Sequence, residues 1–86
     1  MIEIYSGSYC PYCVRAKQLL QQLKIEYTEY DVQSNPEQRQ EMMTRSQGAR
    51  SIPQIFIHDI HVGGCDELYA LHRQGKLTAL LQQQEK

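Results

Sequence analysis

No apolar run in the sequence approaches the ~20 residues that span a bilayer as a helix, so a helical membrane protein is set aside. The first residues, Met1-Ile2-Glu3-Ile4-Tyr5, carry no basic stretch followed by a long apolar one, and no secretory signal is expected. An excess of one charge is missing too. Nine basic against ten acidic residues leave a formal net charge of −1, with nothing to draw the chain to nucleic acid or an anionic membrane. Cysteine is scarce and odd in number, three in 86 residues, which argues against a secreted disulfide scaffold. Neither a second Cys-x-x-Cys nor a His pair at finger spacing is present, so zinc would lack its usual four ligands and no metal is expected. Internal repeats and linkers are absent, and residues 1–86 are expected to form a single domain with a modest core. These absences point to a reducing cytoplasm, where a disulfide is transient and catalytic.

What is present is Cys10-Pro11-Tyr12-Cys13, set between a short strand pattern (Ile2, Ile4, Tyr5) and a helical one (Ala16, Leu19, Leu20, Leu23). Pro11 suits the first turn of a helix, where its missing N–H costs nothing. The first thiol then lies against the positive end of the helix dipole, which stabilises a thiolate, and Arg15 and Lys17 add positive potential. Cys13, three residues on along the same face, is expected to be more buried. The plainer alternative makes both cysteines small apolar residues or half of a metal site. A Cys-x-x-Cys within a β-α-β opening is better read as a thioredoxin-like redox motif, with Cys10 as nucleophile and Cys13 resolving a mixed disulfide formed there.

Along the chain, residues 2–6 form the first strand and a helix runs to about Lys24. Ile25 to Val32, rich in β-branched and aromatic residues, forms a second strand parallel to the first. Ser34-Asn35-Pro36 starts a helix that reaches about Ser46, with Gly48 as its stop. Gln54 to His58 and Ile60 to Val62 form an antiparallel hairpin, since the connection at Asp59 is too tight for a crossover. Gly63-Gly64 turns the chain into a helix from Cys65 to about Gln74, ended by Gly75, and a short helix from Leu77 to Gln83 follows, its glutamine end frayed. The order β-α-β-α-β-β-α matches the thioredoxin fold, an α/β architecture with a four-stranded mixed sheet flanked by helices. Its active site lies at the carboxyl end of the first strand. His58 and His61 read as solvated or edge-strand residues.

Three motifs in order, Cys10-Pro11-Tyr12-Cys13, Ser51-Ile52-Pro53-Gln54-Ile55-Phe56-Ile57 and Gly63-Gly64-Cys65-Asp66-Glu67-Leu68, make the chain resemble a dithiol glutaredoxin of the small bacterial class. Thioredoxins usually carry Gly-Pro between their cysteines, whereas Pro-Tyr is typical of dithiol glutaredoxins. The resemblance implies a glutathione-dependent thiol–disulfide oxidoreductase that reduces protein disulfides and glutathione mixed disulfides, poised at about −200 to −230 mV. Its partners would be glutathione as reducing co-substrate, glutathionylated or disulfide-containing proteins and, indirectly, glutathione reductase and NADPH, with the protein working as a monomer.

The resemblance also implies that Pro53 is a cis proline facing the cysteines, although an X–Pro bond taken alone favours trans. Ile52 would pair its main chain with the cysteinyl part of glutathione. Tyr12 would line the glutathione groove, and Gly64, Cys65 and Asp66 would present helix N–H groups to the γ-glutamyl carboxylate, a ready anion site on physical grounds as well. Asp66 would also meet the ligand's amino group. One departure stands out. The family commonly has lysine where this chain has Gly7, so weaker glutathione binding or a less acidic Cys10 is expected unless Arg15, Arg39 or Arg50 takes over, and Gly7→Lys tests this. Cys65 reads as a small packing residue, or more sharply as a site of regulatory glutathionylation. Two rivals remain. A thioredoxin-type reductant is disfavoured by Tyr12 and the Gly63-Gly64-Cys65-Asp66 stretch, and an iron–sulfur carrier by Pro11 and the competing Cys13.

Overall fold

The computed structural model describes residues 1–82. Along the chain run β1 (Ile2–Ser6), α1 (Pro11–Gln22), β2 (Thr28–Asp31), α2 (Pro36–Arg45), β3 (Gln54–Ile57), β4 (Ile60–Gly63), α3 (Cys65–Arg73) and α4 (Leu77–Gln82). The sheet order is β2-β1-β3-β4, with β1 parallel to β2 and antiparallel to β3, and β3 antiparallel to β4. This mixed sheet between helices is the thioredoxin fold.

The period of two along each strand sorts the core onto two faces. Ile2, Ile4, Ile55 and Ile57 pack with Ala16, Leu19 and Leu20 of α1 and with Cys65, Leu68 and Leu77. The intervening Tyr5 and Phe56 point the other way and are covered with Val32 by Met42 of α2. Burying a side chain of this size contributes about 1.5–3 kcal/mol. That gain, more than helix propensity, seats helices of nine to twelve residues on the sheet.

Several boundaries differ from the sequence expectation, each for a local reason. The second strand is shorter than the stretch from Ile25 to Val32. Lys24 adopts a left-handed backbone (φ 59°), and the N–H groups of Lys24 and Ile25 close back on the carbonyls of Gln21 and Leu20. The first helix therefore ends at Gln22, and Ile25 and Tyr27 cover the core from a loop. α2 ends the same way, with Gln47 (φ 62°) left-handed ahead of Gly48, whose N–H reaches the Met43 carbonyl at 2.7 Å. Gly48 itself has a positive φ (102°), and at the end of α3 Gly75 (φ 73°) holds the left-handed position. The last helix is described to Gln82; the expected extension to Gln83 and the frayed glutamines beyond lie outside the described residues.

A non-glycine residue in the left-handed region costs about 1–2 kcal/mol. Lys24→Gly removes that cost but adds freedom to the unfolded chain, so a net stabilisation of about 0.5–1 kcal/mol is expected. It should be read as a higher urea midpoint with an unchanged slope.

The hairpin turns through His58 (φ 51°) and Asp59 (φ 67°), the two left-handed residues of a type I′ turn. His61 lies exposed on the edge strand β4, as its reading allowed, while His58 is not simply solvated. His58 Nδ1 accepts from the terminal amine of Met1 (2.7 Å) and its Nε2 donates to the Leu81 carbonyl (3.0 Å), while His61 stacks on Phe56 and bonds to Gln54 Oε1 at 2.6 Å. On β4, register opposite β3 jumps from His61 to Gly63, which leaves Val62 as the extra residue of a bulge. The bulge and Gly63 (φ 121°) re-aim the chain so that α3 starts beside Pro53, just ahead of β3.

Candidate active site

The site begins where β1 stops. Gly7-Ser8-Tyr9 carries the chain from the sheet to Cys10, which caps α1 with an extended backbone (φ −132°, ψ 103°), and Pro11 occupies the first turn. The Cys10 sulfur accepts the Cys13 N–H at 3.1 Å and lies 3.8 Å from the Ile52 carbonyl, to which its thiol donates. No acidic residue stands in the first turn of α1. A negative charge on this sulfur thus meets a backbone donor and the positive end of a helix.

Cys13, on the inner face of α1, is fully buried. Burial comes first among the causes that push its thiol up to about 12, with the hydrogen bond and charge of Cys10 adding to it, while the Gly7 backbone and Lys17 pull the other way. Cys65, at the start of α3, is also buried and also raised, chiefly by desolvation. All three are free thiols, Cys10 alone part-exposed. A thiol raised this far by burial offers little thiolate at neutral pH. Iodoacetamide on the native protein should therefore add a single group, at Cys10, and reach Cys13 and Cys65 only in urea. Mass spectrometry of the digested adduct checks this.

The Ile52–Pro53 bond is cis, and Pro53 faces α3 across a groove of about 160 Å³ lined by Tyr12, Pro53, Gly64, Cys65, Asp66 and Glu67. Five of these six were singled out from the sequence, brought here from three separate segments. Ile52 borders the groove through its carbonyl at Cys10. A larger apolar cavity of about 320 Å³, between β4, α3 and α4, is lined by no cysteine and takes only Glu67 from the three motifs. Gly64 allows close approach: a Cβ there would sit 3.3 Å from the Pro53 carbonyl oxygen. Glu67, part of the third motif but given no role there, accepts the Gly64 N–H at 2.8 Å. Its position three residues after the cap was the available signal. The remaining first-turn N–H groups of α3 have no carbonyl of their own helix to bond.

The cations are less concentrated than the sequence suggested. Arg15 turns outward, its guanidinium 5.6 Å from the centre of the Tyr69 ring, while Tyr69 donates its hydroxyl to the Arg15 carbonyl. Lys17 is paired with Glu29 at 2.8 Å. Arg39, on α2, and Arg50, before the cis proline, are exposed. Among the described residues no three His, Cys, Asp or Glu side chains gather as a metal site.

Comparison with known proteins agrees with this geometry. The Glutaredoxin family model matches residues 2–62. A probable glutaredoxin of Synechocystis sp. is 51% identical over 80 residues, 93% of this chain and 91% of that protein. Glutaredoxin 3 of Escherichia coli is 48% identical over 93% of this chain and 95% of its own. Among solved structures, the buckwheat glutaredoxin–glutathione complex superposes with a TM-score of 0.82 at 35% identity, covering 93% of this chain and 74% of that one.

Proposed function

Since the chain belongs to the glutaredoxin family, in its small bacterial class, and is a thiol–disulfide oxidoreductase, we propose that it uses glutathione to reduce protein disulfides and glutathione mixed disulfides through Cys10-Pro11-Tyr12-Cys13. The observation that carries this reading is the Cys10 sulfur, capped by the Cys13 N–H and set against the Ile52 carbonyl. Pro53 and Tyr12 carry the site on into the groove at the head of α3. The glutathione held by the buckwheat relative supports the choice of co-substrate.

The Cys10 thiolate attacks a substrate disulfide, forms a mixed disulfide and expels the other sulfur, which leaves as a thiol after taking a proton. With a glutathionylated protein, the protein thiol leaves and glutathione stays on Cys10. A second glutathione thiolate then attacks the bound glutathione sulfur, releasing oxidised glutathione and restoring Cys10. With a protein disulfide, Cys13 attacks Cys10 instead and closes the internal disulfide, which two glutathiones reopen.

Once Cys10 is in a mixed disulfide it carries no charge and offers no thiolate. Two of the causes that hold the Cys13 thiol up are then gone, and Cys13 becomes a better nucleophile when it is needed. Glutathione would lie with its γ-glutamyl carboxylate on the N–H groups of Cys65 and Asp66 after Gly64, its amine by Asp66, its cysteinyl main chain on Ile52 and Tyr12 as a wall. Arg15 contributes by packing α1 on α3 through Tyr69 rather than by touching the ligand. The reading extends to one domain over 1–86, working as a monomer in the cytoplasm without a resident metal. Glutathione reductase and NADPH would recycle the oxidised glutathione.

The test is turnover of a glutathione mixed disulfide with glutathione, glutathione reductase and NADPH. Saturable turnover is expected. No turnover there, with activity only when thioredoxin reductase is supplied, would overturn the glutathione assignment in favour of a thioredoxin-type reductant.

A further inference from the structure

Five large apolar or aromatic side chains are exposed among the described residues, and three of them, Tyr9, Tyr12 and Val14, stand within four residues of Cys10. Tyr9, on the loop just before the nucleophile, is 93% exposed. Val14 lies one helical turn beyond Cys10, its N–H donating to the Cys10 carbonyl at 3.0 Å, and is 42% exposed. Tyr12 leads into the groove toward α3, but Tyr9 and Val14 do not line that groove. One apolar side chain in water needs no explanation. Three that bracket a reactive sulfur mark a contact surface.

Charge divides the same surface. The chain carries no acid between Glu3 and Glu26, and α1 brings Arg15 and Lys17. Lys17 is paired with Glu29, whereas Arg15, next to Val14, is exposed and has no carboxylate partner among the described residues. Both acids of the groove, Asp66 and Glu67, belong to α3. An incoming carboxylate is therefore repelled on the α3 side and attracted on the α1 side.

We propose that Tyr9 and Val14, with Arg15, form a docking rim for glutathionylated protein segments that carry an apolar and an acidic residue beside the modified cysteine. The proposal rests on the glutathione-dependent reading and names the substrates that the site prefers. The Cys10 thiolate attacks the glutathione sulfur, and a bond forms between the two sulfurs. The bond from glutathione to the protein sulfur breaks, and that sulfur leaves with the electron pair and takes up a proton. Glutathione occupies the groove, so the segment bearing the leaving thiol is left with the surface outside it. Tyr9 and Val14 are the apolar part of that surface, and Arg15 is its cation. Tyrosine and arginine are among the side chains that most often decide such contacts.

The test uses the full chain with glutathione, glutathione reductase and NADPH, and three glutathionylated probes. One is a peptide with leucine and glutamate flanking the modified cysteine, and the second replaces these two by serine and glutamine. The third is the glutathione mixed disulfide of mercaptoethanol, too small to reach the rim. Wild type should favour the first peptide over the second about tenfold in kcat/KM, mainly through KM. Tyr9→Ser should reduce that preference to about twofold and Arg15→Gln to about threefold, while Tyr9→Phe keeps it. Turnover of the mercaptoethanol probe should stay within about twofold in both Tyr9 variants. Equal use of the two peptides by wild type, or a preference that Tyr9→Ser leaves intact, overturns the proposal. Equal slowing of all three probes in Tyr9→Ser also overturns it, because the effect would then lie at Cys10 itself. No wild-type turnover of any probe would remove the glutathione reading, and the proposal with it.

Discussion

Serine at position 10 is expected to lower turnover of a glutathione mixed disulfide at least about 1,000-fold, while serine at position 13 leaves it within about threefold. The asymmetry follows from the two environments. Cys10 is part-exposed at the head of α1, with the Cys13 N–H 3.1 Å from its sulfur. A hydroxyl in its place cannot become an anion at neutral pH, and no other thiol is placed to substitute for it. Cys13 is buried with its thiol pushed to about 12, and Cys65 is buried and raised as well. Against a mixed disulfide, a second glutathione does from solution what Cys13 does from within, so Cys13→Ser loses little. Against a protein disulfide the same variant should lose much more, because internal attack has a large effective concentration. Coupled assays with a small glutathione mixed disulfide and with a disulfide-containing protein separate the two routes. Equal losses for both variants on the small substrate would mean that chemistry does not run on Cys10 alone.

The second large effect lies away from the site. Arg45→Ala is expected to destabilise the protein by about 2–3 kcal/mol, less than for a fully buried pair because both partners keep some exposure. Arg45, in the last turn of α2, donates to the Tyr5 hydroxyl (2.8 Å), to Glu3 (2.9 Å) and to Asp59 (3.1 Å), and its guanidinium lies 4.1 Å from the centre of the Phe56 ring. It covers the α2 face of the sheet where apolar side chains are few. Removing it uncovers Phe56 and strips the half-buried Glu3 carboxylate of its main partner.

Glu3 is held below its ordinary 4.5 first by the Arg45 hydrogen bond, with burial opposing and Tyr30 assisting. Glu29 is lowered in the same sense, first by Lys17 and then by Ser6. Folded values below the unfolded ones mean that this stability is fully present above about pH 4.5 and is lost as the pH falls through the folded values. Urea midpoints for wild type and Arg45→Ala should therefore differ most near neutrality and converge in acid. Pairing the variant with Glu3→Gln in a double-mutant cycle isolates the contact, and a coupling near zero would leave aromatic packing as Arg45's whole contribution.

The sequence alone was sufficient for everything set by local pattern. The motif Cys10-Pro11-Tyr12-Cys13 before a helical stripe fixes a thiol at a helix start, because Pro11 and the apolar spacing leave the chain little else to do there. Partial alternation in β1, the strand reading of Gln54 to His58, the tight turn at Asp59 and the glycines before Cys65 likewise foretold strands, hairpin and the entry to α3. What stayed hidden depends on residues far apart in the chain. Strand content in Ile25 and Tyr27 lost to the closure of α1, because β-branched and aromatic side chains cover a core equally well from a loop. Arg15 had the charge to serve the thiol but found an aromatic ring on α3 first.

Arg45 carried no motif at all. Its place follows only from which helix the sheet order β2-β1-β3-β4 sets beside β1. The chemistry was legible because a reactive thiol needs its neighbours in sequence. The supports of that chemistry were not, because a polar side chain's partner is decided by the packing of distant segments.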